Sequence, residues 1–367
     1  MKFRILGIRG VPAAHGGFET FAEELCRHLV ANDWRPVVYC QEEGSGAPWR
    51  DEWNGVERIH IPVAQAGPLG TIIFDWKCMR DAAQAGDPCL VLGYNTALFV
   101  GLLRLRGVPN VINMDGIEWA RAKWGPIAKL WFWLNDWAGC WLGGHLIADH
   151  PEIKKHLSTR TSDKRITMIP YGAHPILNAD STPLDTYGLR SRCFLTVIAR
   201  AEPENSLLEI VEGFSRIHRG VKLVVLGNYD ATHPYQRRVL EAASDEVIFL
   251  GAIYDSSIVQ ALRWHSLAYV HGHQVGGTNP SLVEALGAGN AIFAHDNRFN
   301  RWVAGDGAKY FSDGSSFSAL LDDILEDEVA MDLLRTRSRA RFESNFKWPD
   351  VLNDYQSLLA RIATPVA

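Results

Sequence analysis

Short apolar runs alternate with longer segments of helical periodicity along the whole chain. Runs of four to eight apolar residues are typical of buried strands, and apolar residues recurring every three or four positions are typical of amphipathic helices. In the first half of the chain, we predict strands at residues 3–8, 37–40, 58–61, 89–92, 108–114, 145–148 and 165–169. In the second half, the predicted strands are residues 193–199, 221–226, 247–250, 267–270 and 291–294.

Helical segments separate most of these strands. In the second half they lie near residues 206–218, 234–243, 256–264 and 280–288, and two more follow at 329–344 and 348–362. Strands that alternate with helices predict an α/β fold with a mainly parallel, doubly wound sheet. The alternation stops at Pro170-Tyr171-Gly172 and restarts near residue 193, which indicates a linker between two Rossmann-like domains. We therefore predict domains at residues 1–168 and 169–345, followed by a C-terminal helix at 346–367 that packs back on the first domain.

Composition limits the functions to consider. A chain of 367 residues with 47% hydrophobic and 22% charged residues is typical of a two-domain globular protein. A net charge of −5 argues against nucleic acid as a partner. The six cysteines show no metal-binding spacing, and no apolar run approaches the roughly 18 residues of a membrane span. The N-terminal residues run directly into a predicted strand and do not resemble a signal peptide, so we expect a cytoplasmic location.

The stretch at residues 271–290 combines a strand end, a glycine loop and a helix start. After His271-Gly272-His273, Gly276 and Gly277 can adopt positive φ, Asn279 suits a helix N-cap, and Pro280 suits the first helical position. Free backbone N–H groups and the positive end of the helix dipole there would bind a phosphate or another anion. Glu284, one turn into the helix, could accept hydrogen bonds from ligand hydroxyls. A plain joint between a strand and a helix explains the same residues, so the stretch alone leaves both interpretations open.

A second glycine loop, residues 9–17, follows the first predicted strand. It contains Gly16 and Gly17 and opens onto a helix with Glu19 in its first turn. Ligands of open α/β sheets bind at this end of the strands. Glu19 either complements the helix dipole or reaches a ligand hydroxyl.

Four strings, together with the tandem domains, resemble a known family. They are GIRGVPAAHGGFET (7–20), DGIEWARAKW (115–124), VGGTNPSLVEAL (275–286) and FNRWVAGDGAKYF (299–311). The chain resembles the retaining glycosyltransferases of the GT-B fold, family 4, and within them a subgroup labelled rhamnosyltransferases. The resemblance implies two Rossmann-like domains with an interdomain cleft, a donor sugar carried on UDP or dTDP, and a saccharide acceptor. It implies no other cofactor.

The resemblance also implies roles for individual residues. Arg200 would grip the donor diphosphate, which agrees with the preference of phosphates for guanidinium groups. Glu284 would bind the ribose, and His273 lies at the strand end that opens the donor loop. Across the cleft, Gly16 and Gly17 would face the diphosphate or the acceptor. Further residues implied to contact the donor are Gly276, Gly277, Thr278 and Asn279 beside the diphosphate, and Ala252 and Ile253 beside the base.

The chain departs from the family pattern at three positions. Asn205 stands where the family usually has a lysine, Gly276 stands where it usually has a glutamate, and Asp115 stands where it often has a histidine. Asp115, with Glu118 and Arg121 nearby, could orient the acceptor or act as its base, and an Asp that caps a loop is the alternative.

No strand ends in a DxD motif, and Asp322-Asp323 is expected on an exposed helix face, so we expect no metal. No covalent nucleophile is evident, which favours attack on the face that the leaving group departs from.

Tryptophans concentrate between residues 119 and 141. Six of the 13 tryptophans of the chain lie there, interleaved with Arg121, Lys123 and Lys129. Tryptophan mixed with basic residues is typical of a segment that lies on a membrane surface, and a buried core helix is the alternative. The membrane interpretation predicts peripheral contact with the anionic inner face of the plasma membrane and a lipid-linked acceptor.

Three functions are compatible with the sequence. The first is a retaining, metal-independent glycosyltransferase that uses a nucleotide-sugar donor to build a cell-surface polysaccharide. The second is a non-catalytic protein that binds a nucleotide sugar, and the third is an epimerase or phosphorylase of the same fold. A phosphorylase would require a lysine that binds pyridoxal phosphate, and the second half of the chain offers no clear one.

Overall fold

The computed structural model describes residues 1–14, 16–121 and 123–363. The chain divides into two compact units, Met1–Tyr171 with Trp348–Ala367, and Gly172–Lys347.

The first unit is built on an eight-stranded sheet with the strand order β3-β4-β2-β1-β5-β6-β7-β8. All neighbouring strands are parallel except β3 and β4, so the predicted mainly parallel sheet is confirmed. Its strands are β1 (Lys2–Leu6), β2 (Arg35–Glu43), β3 (Trp49–Trp53), β4 (Val56–Val63), β5 (Cys89–Leu92), β6 (Asn110–Asn113), β7 (His145–Ala148) and β8 (Ile166–Met168). Its helices are α1 (Gly17–Ala31), α2 (Gly67–Ala85), α3 (Gly101–Leu105), α4 (Pro126–Leu142) and α5 (Pro151–Ser158).

The second unit is built on a six-stranded parallel sheet with the order β11-β10-β9-β12-β13-β14. Its strands are β9 (Phe194–Ile198), β10 (Lys222–Leu226), β11 (Val247–Gly251), β12 (Ala268–His271), β13 (Ala291–His295) and β14 (Ala308–Phe311). Its helices are α6 (Thr182–Asp185), α7 (Leu207–Phe214), α8 (Pro234–Glu241), α9 (Ser256–Trp264), α10 (Pro280–Gly287), α11 (Arg298–Ala304), α12 (Gly314–Ile324) and α13 (Glu328–Asn345).

The last helix, α14 (Trp348–Ala363), belongs to the first unit. Tyr355 and Trp348 on this helix contact Phe21 of α1, with ring centroids 4.5 and 6.1 Å away. Val351, Leu358 and other buried residues of α14 join the core formed by α1 and the sheet. The apolar spacing of the C-terminal segment thus reflects burial against its own unit.

Two strands were not predicted. Strand β3 has the sequence WRDEW and is exposed along nearly its whole length, so it lacks the alternation of apolar and polar residues that marks a half-buried strand. It pairs with β4 at the edge of the sheet. Strand β14 has only four residues and lies at the edge of the second unit's sheet, where it pairs with one neighbour, β13. Both segments are strands because they pair with the backbone of a neighbouring strand. The local pattern of apolar and polar residues carries no information about that pairing.

Candidate active site

In the second unit, the predicted donor residues lie at the carboxyl edge of the sheet. The chain leaves β9 toward β10 on one side, whereas β12 lies on its other side, so the order of strands reverses between β9 and β12. Arg200 follows β9, and the glycine loop 272–279 follows β12. Such a reversal point is where open α/β sheets bind their ligands.

Hydrogen bonds tie these two loops together. The Ser206 hydroxyl donates to the carbonyl of Gly272 (2.8 Å) and accepts from the side-chain amide of Gln274 (2.9 Å). The backbone N–H of Gln274 donates to the carbonyl of Glu204 (2.9 Å). A Cβ on Gly272 would come within 2.1 Å of the carbonyl oxygen of Asn205, so only glycine permits this approach. The two loops therefore form one preorganised surface.

Asn205, predicted to contact the donor, is 3% exposed. Its side-chain amide donates to the carbonyl of Arg200 (2.8 Å). This bond commits the side chain to shaping the loop that carries Arg200. The structure thus places Asn205 as a residue that positions Arg200, and the family's usual lysine has no equivalent charge here.

Arg200 itself is exposed, and its guanidinium has no hydrogen bond or ion pair with any described residue. Its cation is available to a ligand. In the neighbouring loop, Gly276 adopts φ +141°, a conformation that favours glycine, and a Cβ there would meet open space.

The helix start beside this loop has the predicted geometry. The side chain of Asn279 caps α10 by accepting from the backbone N–H of Ser281 (3.1 Å), and Pro280 lies in the first turn. Gly277 is half-buried in the same loop and Thr278 is buried. This arrangement presents the positive end of α10 to the loop, which suits an anionic ligand.

Glu284 lies one turn into α10, as predicted, and its carboxylate forms an ion pair with Arg263. The side chain of Glu284 is 32% exposed, whereas that of Arg263 is 8% exposed. The ion pair with the buried arginine therefore fixes the position of the Glu284 carboxylate at the rim of the site. Sequence reasoning missed Arg263; its place near the end of a predicted helix, 256–264, carried no signal, because an arginine there ordinarily complements the helix dipole.

The remaining predicted donor residues lie at the same sheet edge. The N–H of Ala252 donates to the side chain of Asn228 (3.2 Å), and Ile253 is packed against an apolar cluster. The His273 ring stacks on that of His271 at 4.4 Å, and its carbonyl accepts from Asn297 and Asn300. Burial lowers the pKa of His271 well below its usual value, so this ring is neutral at neutral pH.

In the first unit, the glycine loop leads into α1 as predicted. Gly17 begins the helix, and the carbonyl of Gly16 accepts the N–H of Thr20 (3.1 Å). The carboxylate of Glu19 accepts from the backbone N–H of Arg9 (3.4 Å), so it closes the loop. His15 of this loop, like Ala122, lies outside the described residues.

Asp115 has the most unusual environment among the predicted residues. It adopts φ +52°, a region that non-glycine residues rarely occupy and that accompanies functional sites. Its N–H donates to the side chain of Asn113 (3.0 Å), and the Asn113 amide donates to the Tyr355 hydroxyl (2.7 Å). Burial, followed by the negative charge of Glu118, raises the pKa of Asp115 to about 6. A carboxyl with this pKa is suited to accept a proton or a hydrogen bond near neutral pH.

Glu118 and Arg121 form an ion pair at 2.6 Å, and Trp124 donates its indole N–H to the other oxygen of Glu118 (3.1 Å). The backbone N–H of Glu118 donates to the Tyr94 hydroxyl (2.7 Å). These bonds stabilise the loop after β6 that carries Asp115.

The tryptophan-rich segment forms a short 3-10 turn, Glu118–Ala120, and helix α4. One face of α4, including Asn135, Asp136 and Cys140, is buried. The other exposes a set of large apolar side chains, Ile127, Leu130, Trp133, Leu134 and Trp141. Helix α4 is therefore neither a fully buried core helix nor a fully exposed one.

Three further observations concern the predicted absences. Asp322 and Asp323 are exposed on α12, as predicted. Among the described residues, no group of three or more His, Cys, Asp or Glu side chains could hold a metal ion. The described helices include none that is long and apolar enough to cross a membrane.

Family models match both parts of the chain. Residues 190–346 match the family described as Glycosyl transferases group 1, and residues 1–174 match a domain of unknown function, DUF1972. A comparison with curated proteins found none that matches the chain.

Solved structures with the same fold cover nearly the whole chain. Sucrose-phosphate synthase from Thermosynechococcus elongatus is 16% identical with a TM-score of 0.79, and 98% of each chain is covered. HepE of Anabaena, solved in complex with UDP and glucose, is 11% identical with a TM-score of 0.75, covering 98% of this chain and 99% of that one. An α,α-trehalose-phosphate synthase (UDP-forming) from Burkholderia vietnamiensis is 13% identical with a TM-score of 0.74, covering 98% of this chain and all of that one (100%).

These likenesses confirm the predicted GT-B fold. The match of residues 190–346 to Glycosyl transferases group 1 supports glycosyltransferase activity.

Proposed function

We propose that the protein is a retaining glycosyltransferase that moves a sugar from a UDP or dTDP donor to a lipid-linked saccharide acceptor. The sugar that we propose first is rhamnose. The observation that carries the donor part is the exposed guanidinium of Arg200 beside the Gly276 loop and the start of α10. A diphosphate is the ligand that matches a cation, free N–H groups and a helix N-terminus. The choice of rhamnose is supported only by the resemblance of the four sequence strings to the rhamnosyltransferase subgroup.

The proposed chemistry uses few side chains. The bond between the sugar C1 and the diphosphate oxygen breaks, and the electron pair leaves with the nucleoside diphosphate, where Arg200 and α10 stabilise the charge. The acceptor hydroxyl oxygen bonds to C1 on the same face, and its proton passes to the departing phosphate oxygen. Asp115 orients the acceptor hydroxyl by accepting a hydrogen bond from it, and no metal is required.

The defining experiment measures turnover of a panel of UDP- and dTDP-sugars, dTDP-rhamnose among them, with a polyprenyl-diphosphate-linked saccharide. We expect release of the nucleoside diphosphate only with acceptor present, undiminished by EDTA, and a product whose anomeric configuration equals that of the donor. A product of opposite configuration would reject retention, and loss of activity in EDTA would reject metal independence.

One observation favours a second function, a non-catalytic protein that binds a nucleotide sugar. Asn205 carries no charge and its side chain is committed to the Arg200 loop, so the diphosphate has one cation fewer than is usual in the resembled family. Tight UDP binding without turnover of any donor in the panel would favour this alternative.

We further propose that the exposed face of α4 rests on the anionic inner face of the plasma membrane. This α4 face consists of Ile127, Leu130, Trp133, Leu134 and Trp141, and Ile127 alone is 87% exposed. Large exposed apolar patches mark interaction sites. Lys123 and Lys129 lie near the start of the helix, and each basic residue near an anionic surface contributes about 1 kcal/mol. The membrane contact would thus be reversible and sensitive to salt.

A vesicle sedimentation assay tests this contact. Wild-type protein should bind anionic vesicles at low salt, and Lys123→Glu with Lys129→Glu should release it without changing its affinity for UDP. The matched control, Lys155→Glu with Lys164→Glu, makes the same change in net charge on exposed lysines of the same unit and should still bind. Equal release of both double variants, or no binding by the wild type, would reject the membrane contact.

A further inference from the structure

A groove formed by two adjoining cavities lies at the amino edge of the second unit's sheet. The cavities have volumes of about 250 and 560 Å³, and Gly305 and Asp306 line both of them. These residues end the connection from α11 to β14, so they lie where the parallel strands begin. The proposed donor residues, Arg200 and the loop 272–279, follow the ends of strands. The groove is therefore at the opposite edge of the same sheet, and its interpretation does not rest on the proposed function.

Four cations line this groove, against one carboxylate, that of Asp306. The cations are Arg301, Lys309, Arg337 and Arg341. Among the described residues, only Arg301 of these four has a carboxylate partner, Asp296 (2.8 Å). The excess of cations is a local feature, because the net charge of the chain is −5.

The arginines of α13 divide into those that serve the fold and one that does not. Arg335 and Arg339, one turn apart, donate to the backbone carbonyls of Leu267 (3.1 Å) and Ile176 (3.3 Å). Arg337 lies on a different face of the helix and lines both cavities. Its side chain is exposed and has no hydrogen bond or ion pair with any described residue. Arg337 can therefore bind a ligand without giving up a contact within the protein.

Arg341, one turn after Arg337, is a half-buried cation that lacks a carboxylate partner in the described part of the chain. Its guanidinium donates to the carbonyls of Trp302 (2.5 Å) and Val303 (3.2 Å) and lies over the Trp302 ring at 5.4 Å. Burial lowers the pKa of Arg341 below its usual value, because the guanidinium has lost water without gaining an anion. An anionic ligand would supply the missing charge.

The turn between these cations is fixed against α13. The Ser338 hydroxyl donates to the carbonyl of Gly307 (3.0 Å), and the Tyr310 hydroxyl donates to that of Gly305 (2.8 Å). A Cβ on Gly307 would come within 2.8 Å of the Ser338 backbone nitrogen, so glycine permits the close approach. The turn belongs to the string at residues 299–311, to which the proposed function assigns no role. A fixed backbone of this kind reduces the ordering that binding would otherwise require.

The charges of the groove select the kind of ligand. Guanidinium and ammonium groups bind phosphate oxygens through charge-assisted hydrogen bonds, and several cations together favour a multivalent anion over a monovalent one. The larger cavity has a volume within the roughly 300–1,000 Å³ of small-molecule sites. A neutral ligand would leave the cations without partners.

We propose that this groove binds the phosphate groups of a small anionic ligand through Lys309, Arg337 and Arg341. Arg337 is the central contact, because it lines the cavity of Lys309 as well as that of Arg341. The groove and the proposed donor site lie at opposite edges of the sheet, so the protein binds two phosphorylated ligands at the same time.

Calorimetry with inorganic pyrophosphate tests the proposal on the full chain carrying Arg200→Ala, which removes the cation of the proposed donor site. We expect pyrophosphate binding that weakens as salt rises. Adding Lys309→Ala with Arg337→Ala should weaken it by about tenfold or more, because two charge-assisted contacts are lost. Both side chains are exposed, so the melting temperature should not change. Asp306→Asn should instead tighten binding by about twofold or more, because it removes the carboxylate that repels the anion.

The matched control, Arg190→Ala with Arg216→Ala, removes the same net charge from exposed positions of the same unit and should bind pyrophosphate undiminished. Inorganic phosphate, glucose 1-phosphate and glycerol 3-phosphate, titrated in the same way, compare a free anion, a sugar phosphate and a lipid headgroup. The one that binds most tightly through Lys309 and Arg337 identifies the source of the phosphate. Equal losses in the two double variants, or no binding of any of the four anions, would overturn the proposal.

Titration with UDP, with Arg200 intact, separates this proposal from the proposed function. Lys309→Ala with Arg337→Ala should leave the affinity for UDP unchanged, whereas Arg200→Ala should weaken it. A loss of UDP affinity in the first variant would overturn the proposal of two separate sites. Pyrophosphate binding that depends on Arg337, in a protein that binds no UDP, would reject the proposed function and leave the groove standing.

Discussion

The two sheets present chemically opposite surfaces at equivalent places. Each sheet has a reversal of strand order, after β1 in the first unit and after β9 in the second, and each carries candidate ligand-binding residues there. In the second unit these residues are the cation Arg200 and a glycine loop at a helix start. In the first unit they are carboxyl and amide side chains, Asp75, Gln41 and Glu19.

This difference teaches how one architecture serves two kinds of ligand. A diphosphate is a concentrated anion, and a cation with backbone donors binds it. Sugar hydroxyls are neutral donors, and acceptor side chains bind them. The chemistry is thus carried by the side chains and loops at the carboxyl edge of each sheet, while the sheets supply only the position.

The sharpest test of the first unit is Asp115→Asn. Asparagine tolerates positive φ, so the backbone should keep its φ of +52° while the charge is lost. We expect turnover to fall by at least about 10²-fold if Asp115 acts on the acceptor hydroxyl. Asp33→Asn is a matched control, because Asp33 also has positive φ (+62°) and lies in an exposed turn between α1 and β2; it should keep full activity.

The pH dependence of the same variant separates function from stability. Wild-type activity should rise as pH rises through about 6, where Asp115 ionises, and the variant should lose this limb. The folded-state pKa is raised above the usual 3.8, so ionisation is harder in the folded protein and this group's contribution to stability falls as pH rises from about 4 to 6. Asp115→Asn should therefore raise the melting temperature relative to wild type near neutral pH and not below pH 4. A flat activity profile for both proteins would reject Asp115 as the acceptor's partner.

In the second unit, Arg200→Ala should have the next largest effect. Loss of its charge should cost at least about 2 kcal/mol of transition-state stabilisation, measured as kcat/KM, because charge-assisted contacts with phosphates are strong. Binding of the saccharide acceptor should not change. The control is Arg237→Ala, which changes an exposed arginine of α8 and should behave as the wild type. Near-normal turnover of Arg200→Ala would reject the role of Arg200 in binding the diphosphate.

Glu284→Gln should distinguish two donors. A carboxylate can accept from both ribose hydroxyls of UDP, whereas dTDP lacks the 2′-hydroxyl, so calorimetry should show a larger loss for UDP. The variant also leaves the buried Arg263 without its ionised partner, which destabilises the fold. That effect lowers both affinities alike, so the ratio between donors is the measure, and equal losses would contradict a contact with both hydroxyls.

The smallest effect should come from Asn205→Ala. The Arg200 carbonyl would lose the hydrogen bond from the Asn205 amide, and UDP binding should weaken by about 1 kcal/mol, typical of one hydrogen bond. Because Asn205 acts through Arg200, Asn205→Ala should cause no further loss of UDP affinity in a protein that already carries Arg200→Ala. Fully additive losses would instead indicate that Asn205 contacts the donor directly, and Asn353→Ala on the exposed face of α14 is the control.

Much of the fold could be predicted because its strands are buried on both faces. The predicted strands at residues 89–92 and 145–148 coincide with β5 and β7, whose residues are all buried. Helix α10, with Asn279 as its cap, was equally predictable, because capping depends on residues adjacent in sequence. The exposed strand β3 was missed because its residues obey no burial pattern.

The sequence by itself determined the local chemistry of this protein: two glycine loops at the ends of strands, a cap with proline behind it, and a cation after β9. These features depend on neighbours along the chain, and the sequence contains them. Only the tertiary structure decided which side chains are committed to the fold. It joined Asn205 to the Arg200 carbonyl, Glu284 to Arg263, and Tyr355 to Asn113, which is 242 residues away in sequence. It also buried Asp75 on the apolar face of α2, since burial depends on which segments the sheet brings together and not on the residues beside them.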